Sequence, residues 1–282
     1  MTHVTIVGAG TSAPQPDTPA SGILVETDSA ALLVDCGQGV IRDVMKRRDP
    51  RELDAIVIGH MHADHYIDLV SLRYLMPWTG YTGRRVPILL PPGGRARMDL
   101  LAEAISEREG FFDHTFDVTE YDPSATIRFG DLSLGFIAGG HYVPAWGCTI
   151  DDGHGRRVVI SGDTGPNEEL VEIARGADLV IVEATLLEGA EDDPKRGHLT
   201  ADEALDIGAR AEAGLTVLVH HRPQNREAII AACADRANAV VGLPGLTIDL
   251  TPVDAGGGAS TDGQLETGPA GIASSAARAR PR

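Results

Sequence analysis

Short apolar runs bounded by glycine, proline and polar residues characterise the first half of the chain. Runs of this length, rich in valine, isoleucine and leucine, are typical of buried β-strands. The predicted strands lie at residues 4–7, 23–26, 31–35, 55–59 and 87–90. Two helices are also predicted, from apolar residues at helical spacing. The first contains Val40, Ile41, Val44 and Met45, and the second, at 95–108, contains Met98, Leu101 and Ile105.

Helices and strands alternate in the second half. The pattern predicts helices at 168–175 and 201–213 and strands at 158–163, 179–182 and 216–219. Thr200 and Glu203 have the spacing of a capping box that starts the second helix, and Gly214 is predicted to end it. The 282 residues suffice for one large α/β domain or two small ones.

The loop after the first strand is rich in glycine but does not indicate a dinucleotide site. Gly8 and Gly10 lack a third glycine at the required offset, and prolines at positions 14, 16 and 19 exclude the helix that must follow.

Composition and charge narrow the class of protein. The net charge of −17 and the pI near 4.9 argue against a general affinity for nucleic acid, which depends on a basic surface. Cys36, Cys148 and Cys233 have no pair spacing, so we interpret them as reduced residues. No signal peptide and no apolar segment of about 18 residues is recognised. A cytoplasmic protein without a membrane partner is expected.

Three histidines and an aspartate directly follow the strand predicted at 55–59. The string His60-Met61-His62-Ala63-Asp64-His65 offers rigidly held nitrogen and oxygen ligands, as a borderline or hard divalent cation requires. In an extended segment His60 and His62 leave on the same face and can bind one ion. Asp64 and His65, at the turn into the next helix, can bind a second. A chance cluster beside a helix cap is the weaker interpretation, because histidine is rare.

Two further histidines and an aspartate stand at the ends of later apolar runs. They are His141, Asp163 in the string Ser161-Gly162-Asp163-Thr164, and His220. A lone histidine after a strand is usually structural. An aspartate there can bridge two cations, one oxygen on each, at the separation of roughly 3.5–4 Å used by two-metal hydrolases.

These strings resemble the signature of the metallo-β-lactamase superfamily of dinuclear metal hydrolases. Glu183-Ala184-Thr185, followed by His198-Leu199-Thr200, is similar to a motif pair of its ribonuclease Z-like branch. The resemblance implies an α/β fold of the four-layer αβ/βα sandwich type over residues 1–251. Residues 252–282, rich in glycine, alanine and serine, are expected to form a disordered tail.

The resemblance also implies roles for the candidate residues. His60, His62, His141 and Asp163 would hold one divalent metal ion, and Asp64, His65, Asp163 and His220 a second. Zinc is favoured, while manganese or iron would accept the same donors. His198 would protonate the leaving group, Glu183 would orient it, and Asp64 would help orient a metal-bridging hydroxide. Asp35 is expected to brace its loop, and the side chain of His221 to point away from the metals.

The expected substrate is a small phosphodiester such as a cyclic nucleotide. Transfer-RNA processing enzymes of the branch carry a long basic arm, and here residues 91–94 offer only Pro-Pro-Gly-Gly. Nucleic acid is therefore the less favoured partner. Hydrolysis of an ester, lactone or thioester and transfer-RNA 3′ processing stay as alternatives. Relatives often form homodimers, and a homodimer is expected. Residues 78–116, with Tyr81, Arg84, Arg85, Phe111 and Phe112, form either a substrate lid or an ordinary surface connection.

Overall fold

Two β-sheets with helices on their outer faces make up the fold. The computed structural model describes residues 1–77, 83–189, 192 and 195–251, and the backbone of 265–266. The strands are β1 (Thr2–Gly8), β2 (Gly22–Glu26), β3 (Ala31–Val34), β4 (Ala55–Val57), β5 (Val86–Leu90), β6 (Phe116–Glu120), β7 (Ile127–Phe129), β8 (Leu132–Gly139), β9 (Ala145–Asp151), β10 (Arg157–Ile160), β11 (Leu179–Glu183), β12 (Leu215–Val219), β13 (Ala239–Val241), β14 (Thr247–Leu250) and β15 (Leu265–Glu266). The helices are α1 (Val40–Val44), α2 (Ala63–Tyr66), α3 (Leu69–Arg73), α4 (Gly94–Ile105), α5 (Glu168–Ile173), α6 (Ala201–Arg210) and α7 (Arg226–Ala234).

Each half of the chain supplies most of one sheet. The first sheet has the order β15-β14-β1-β2-β3-β4-β5-β6, and the second has the order β13-β12-β11-β10-β9-β8-β7. Strands β3 to β6 run parallel to one another, and so do β10 to β13. Parallel neighbours need crossover connections, which the helices provide.

Successive residues of the central strands face different layers. Leu32 packs into the core between the two sheets, whereas Leu33 packs under α1 and α3. In the second sheet Ile181 faces the inter-sheet core and Val180 packs against α5 and α6. This period of two buries both faces of each sheet. The predicted four-layer αβ/βα sandwich is therefore confirmed.

The predicted helices are shorter in the structure. The helix predicted at 95–108 ends at Ile105, whose side chain is 39% exposed and lies outside the core, while Met98 is buried. The helix that starts at the Thr200–Glu203 capping box ends at Arg210. The left-handed residue after it is Glu212, with φ of 52°, and not Gly214, whose N–H donates to the carbonyl of Ala177. Pairing with the next strand, which apolar spacing does not encode, ends this helix early.

Two predictions fall wholly or partly on residues outside the described part. The disordered tail at 252–282 lies there, except that Leu265–Glu266 pairs with β14. Trp78 and Tyr81 of the lid hypothesis also lie outside it. Within the described residues no helix is both long and apolar enough to cross a membrane.

Candidate metal centre and active site

The candidate ligands converge because the strands that carry them end at one edge of the sandwich. His60 follows β4, His141 follows β8, Asp163 follows β10 and His220 follows β12. Strands β10 and β12 run in the same direction. Strand β8 also runs in this direction, because β8 and β10 both pair antiparallel with β9. The N–H of Trp146 donates to the carbonyl of Gly59 at 3.1 Å and joins the two sheets at this edge.

The first group of donors contains three imidazoles and one carboxylate. Nδ1 of His62 lies 3.0 Å from Nε2 of His60 and 3.1 Å from Nε2 of His141. Oδ2 of Asp163 lies 3.7 Å from Nε2 of His60 and 3.8 Å from Nε2 of His141. His62 is the N-cap residue of α2 and has extended backbone angles. The predicted strand thus ends at Val57, and His60 and His62 come from the loop after it.

The second group shares Asp163 with the first. Nε2 of His220 lies 3.2 Å from Oδ2 of Asp64 and 3.6 Å from Oδ2 of Asp163. Nε2 of His65 lies 3.7 Å and 3.4 Å from the same two oxygens. The contacts of Asp163 with His60, His65, His141 and His220 all use Oδ2, whereas one oxygen per cation was expected.

Both groups fit divalent cations. Metal–ligand bonds of roughly 2.0–2.2 Å at tetrahedral angles place neighbouring donors about 3.3–3.6 Å apart, close to the separations found here. The two groups of donors together enclose a space that we call the cage. Nε2 of His65 is a buried nitrogen without a hydrogen-bond partner in the described part of the chain, and it faces this cage. A buried polar atom left in this state is costly unless it binds something. A pair of divalent metal ions would satisfy it.

Hydrogen bonds behind the imidazoles set which nitrogen faces the cage. Nδ1 of His65 donates to Oδ2 of Asp35 at 2.7 Å, and Nδ1 of His141 donates to the carbonyl of Gly197 at 2.8 Å. Nδ1 of His220 lies 2.8 Å from Oγ1 of Thr185. Such contacts fix the tautomer that leaves Nε2 free for a metal.

Asp35 has the bracing position expected of it. Its other oxygen accepts the N–H of Gly59, just before the histidine string. The turn after it packs tightly on α2, because a Cβ on Gly37 would lie 1.9 Å from the carbonyl oxygen of Asp64. Asp35 thereby links two loops of the cage.

Burial and charge prepare the cage for cations. Burial lowers the pKa of His60, His62 and His141, which favours their neutral, metal-binding form. Burial opposes ionisation of Asp163, but His220 and His65 hold the pKa of this carboxyl well below its usual range. Burial likewise disfavours the charged form of His65, yet Asp163 and Asp35 raise its pKa well above the usual value. The site is therefore strongly attractive to positive charge.

His198, which is half-buried, and the buried Glu183 form a hydrogen-bonded pair beside the cage. Nδ1 of His198 donates to Oε1 of Glu183 at 2.8 Å, and its ring stacks on that of His220 with centroids 5.6 Å apart. Oε1 also accepts the N–H of Thr164 at 3.0 Å. Burial lowers the pKa of His198, but the hydrogen bond and charge of Glu183 outweigh it and the pKa lies above its usual value. The arrangement suits a proton donor.

Thr185 connects this pair to the cage, and the sequence interpretation gave it no role. Its hydroxyl donates to Oε2 of Glu183 at 2.7 Å and therefore accepts from Nδ1 of His220. It stands in the Glu183-Ala184-Thr185 string, so its position was visible in the sequence, but the contact with His220 joins two different strands.

A cavity of about 610 Å³ opens onto the two groups of donors. Its lining residues are Thr11, Ser12, Ala13, His62, Ala63, Asp64, Tyr142, Asp163, Thr185, His198, His220, Arg222 and Gln224. Loop residues 11–13 form one wall of this cavity. The sequence analysis considered this loop only as a dinucleotide site, which it rejected, and assigned it no other role.

The described part of the proposed lid lies elsewhere. Arg84 donates to the carbonyl of Leu53, and Arg85 donates to that of Phe116. Phe111 and Phe112 are buried under the first sheet. These residues support the fold, as a surface connection does, and none of them lines the cavity.

His221 points away from the cage, as expected, although not because the strand stays extended. The strand β12 ends at Val219, and His220 has a left-handed backbone with φ of 53°. The turn sends the His221 ring into the core, where Nε2 lies 3.2 Å from the carbonyl oxygen of Gly242.

Comparison with known proteins agrees with this fold and site. Residues 31–221 match the family model described as a beta-lactamase superfamily domain, and this range includes the histidine string and His220. The chain belongs to the β-lactamase superfamily. An uncharacterised protein of Mycobacterium leprae is 32% identical over 240 residues, which cover 81% of each chain. A ribonuclease Z of Myxococcus xanthus is 31% identical over 275 residues, covering 78% of this chain and 87% of its own.

A solved structure of the superfamily shows the same fold. The crystal structure of the metallo-β-lactamase fold protein YhfI from Bacillus subtilis has a TM-score of 0.72 and 23% sequence identity, over 88% of this chain and 99% of that one. The predicted membership in the metallo-β-lactamase superfamily, with ribonuclease Z-like relatives, is confirmed. As a member of this superfamily the protein is a metal-dependent hydrolase.

Proposed function

We propose that this superfamily member is a dinuclear metal-dependent phosphodiesterase that hydrolyses a small phosphodiester such as a cyclic nucleotide. The observation that carries the proposal is the 2.8 Å contact between His198 Nδ1 and Glu183 Oε1, directly beside the donor cage. Hydrolysis of a phosphodiester expels an alkoxide, which needs a proton, and this pair places a proton donor next to the reacting centre.

The cage would hold two divalent metal ions. His60, His62, His141 and Asp163 form the first site, and Asp64, His65, Asp163 and His220 form the second. Zinc is the ion we favour for this mixture of imidazole and carboxylate, and manganese and iron use the same donors. When bound, such ions lower the pKa of water and neutralise charge on a phosphoryl group.

The chain's own residues perform the remaining steps. Glu183 holds the His198 ring through Nδ1, which leaves Nε2 as the nitrogen that hands a proton to the departing oxygen. Thr164 and Thr185 donate to Glu183 and keep its carboxylate in place. Asp64 lines the cavity and its carboxylate accepts a hydrogen bond from the attacking water, which orients it towards phosphorus.

The cavity and the charge favour a small substrate. A volume of about 610 Å³ lies within the range of roughly 300–1,000 Å³ common for small-molecule sites. The net charge of −17 opposes the binding of a long polyanion. The ribonuclease Z relative in Myxococcus xanthus supports a phosphodiester rather than a carboxyl substrate, and it keeps transfer-RNA 3′ processing as the second candidate function.

A substrate panel tests the proposal. Protein reconstituted separately with zinc and with manganese is offered bis(p-nitrophenyl) phosphate, cyclic nucleotides, a transfer-RNA precursor, a p-nitrophenyl ester and a thiolactone, with His198→Ala alongside. We expect turnover of the small phosphodiesters that falls on cyclic nucleotides by a factor on the order of 100 or more in the variant. Turnover of the ester or thiolactone alone, unaffected by the variant, would contradict it. Preferred cleavage of the precursor would support the second candidate.

We further propose that the protein is a cytoplasmic homodimer. The three cysteines, which are free and buried, support the cytoplasmic location. The homodimer is what the resemblance to the ribonuclease Z-like branch implies. Sedimentation analysis of the metal-loaded chain measures the oligomeric state, and a monomer at micromolar concentration contradicts the dimer.

A further inference from the structure

His198 is held differently from the metal-binding residues. Those residues follow strands or start a helix, whereas His198 lies in the connection between β11 and α6. On its carboxyl side the connection is well anchored, because Leu186 donates to the carbonyl of Leu199 at 3.0 Å and accepts the N–H of Ala201 at 3.1 Å. Glu183 holds the ring itself through Nδ1. The backbone that carries the imidazole depends in addition on how the amino side is held.

Asp192 holds that side. Its Oδ2 accepts the backbone N–H of Gly197 at 2.8 Å and that of His198 at 3.0 Å. Its other oxygen accepts the hydroxyl of Tyr142. Hydrogen bonds to an ionised carboxylate are about twice as strong as neutral ones. A single side chain thus fixes two successive peptide groups directly before the imidazole.

Tyr142 and His141 contact the same residue, Gly197, at its Cα and at its carbonyl. The carbonyl of Gly197 accepts Nδ1–H of the metal-site residue His141 at 2.8 Å. The Tyr142 ring covers the Cα of Gly197 so closely that a Cβ there would lie 2.5 Å from Cζ. The N–H, the carbonyl and the Cα of residue 197 are all in contact, and a side chain at this position would displace the Tyr142 ring.

We infer that Asp192 is a positioning residue, which with Tyr142 sets the place of the His198 imidazole relative to the metal cage. Proton transfer requires the donor within hydrogen-bond reach of the leaving oxygen, and displacement by about 1 Å can cost a factor of 100. Asp192 acts through the backbone and touches no reacting atom. The inference rests on the proposed role of His198 as proton donor.

The dependence of the rate on the leaving group distinguishes positioning from a general structural role. A series of methyl aryl phosphodiesters is used, in which the leaving group changes from p-nitrophenolate to phenolate. Phenolate is the more basic and depends more on a proton donor. We expect kcat/KM of His198→Ala to fall on the order of 100-fold more for the phenyl ester than for the p-nitrophenyl ester. Asp192→Ala should show the same trend, with a differential loss on the order of 10-fold.

Conservative and surface variants complete the design. Asp192→Asn keeps a carbonyl oxygen for the two N–H groups and should restore the wild-type ratio between the two esters to within about threefold. Asp117→Ala, at an exposed position of β6, is the control. Metal content and thermal stability are measured for each variant, and we expect Asp192→Ala to retain its metal.

Two outcomes overturn the inference in distinguishable ways. If His198→Ala shows the differential loss but Asp192→Ala loses activity equally on both esters, or not at all, Asp192 does not position His198. If His198→Ala itself loses activity equally on both esters, the proton-donor role fails, and the positioning role fails with it.

Discussion

Oδ2 of Asp35 accepts the Nδ1–H of His65 at 2.7 Å, and both side chains are buried. The contact turns Nε2 of His65 into the cage and connects the loop after β3 to the helix α2. Asp35 has a left-handed backbone with φ of 62°, a conformation that aspartate and asparagine tolerate better than most residues. A residue that binds no metal therefore determines how one ligand is presented.

Asp35 variants should weaken metal binding. Because a buried partner fixes the tautomer of a ligating histidine, we expect Asp35→Ala to lower metal affinity by about 10–100-fold and Asp35→Asn by less. Competition with a chromophoric chelator measures the affinity. Ser21→Ala serves as the matched control, since Ser21 donates to the same carboxylate at 3.1 Å without touching a ligand. An Asp35→Ala protein with wild-type affinity would contradict this account of the contact.

Thr185 should be needed for turnover through its hydroxyl alone. Thr185→Val keeps the shape but leaves Nδ1 of His220 and Oε2 of Glu183 without their shared partner. We expect kcat to fall by about 10–100-fold. Thr185→Ser retains the hydroxyl and should stay within about threefold of the wild type. Steady-state kinetics on bis(p-nitrophenyl) phosphate gives both values, and equal activity of the valine and serine variants would refute the connection.

Glu183 should set the alkaline limit of activity. A proton donor works below its pKa and is lost as pH rises through it, and Glu183 outweighs burial to raise the pKa of His198. Glu183→Gln removes that charge, so the alkaline loss of kcat should begin at lower pH. The pH profile of kcat on a cyclic nucleotide measures this. The surface change Glu172→Gln in α5 is the control. If the alkaline side of the pH profile of kcat is not shifted in Glu183→Gln, the proposed effect of Glu183 on the pKa of His198 is contradicted.

Chelation of the metals should lower thermal stability. Asp64 and Asp163 lie together in the cage, and cations that bind only the folded state stabilise it by about 2.7 kcal/mol per site at a free concentration of 100 Kd. For a chain of this size we expect the melting temperature to fall by about 5 °C or more on treatment with a chelator, and to recover on adding zinc. Asp163→Ala should show little dependence on added metal, since both groups share that residue. Differential scanning calorimetry checks both statements.

Local pattern predicted most elements, and it was wrong where a neighbouring strand decided the boundary. Residues 201–213 have helical spacing throughout, yet the chain leaves the helix after Arg210 because the segment after it pairs with the second sheet. The aromatic and arginine residues of the proposed lid resemble a binding surface in the sequence. In the structure Phe111 and Phe112 are buried and Arg84 binds a backbone carbonyl.

The sequence alone determined the donors and the layers. The sequence contains three histidines and an aspartate within six residues, and single candidate ligands after later apolar runs. Residue order and the two-residue period of strands are visible in the sequence, so the donor types and the layers could be predicted from them. Only the tertiary structure decided the rest: that Asp163 presents one oxygen to both groups, that Thr185 joins His220 to Glu183, and that Asp192 holds the backbone of His198. These contacts connect residues on different strands and loops. Their distances follow from how the two sheets pack, which no local pattern encodes.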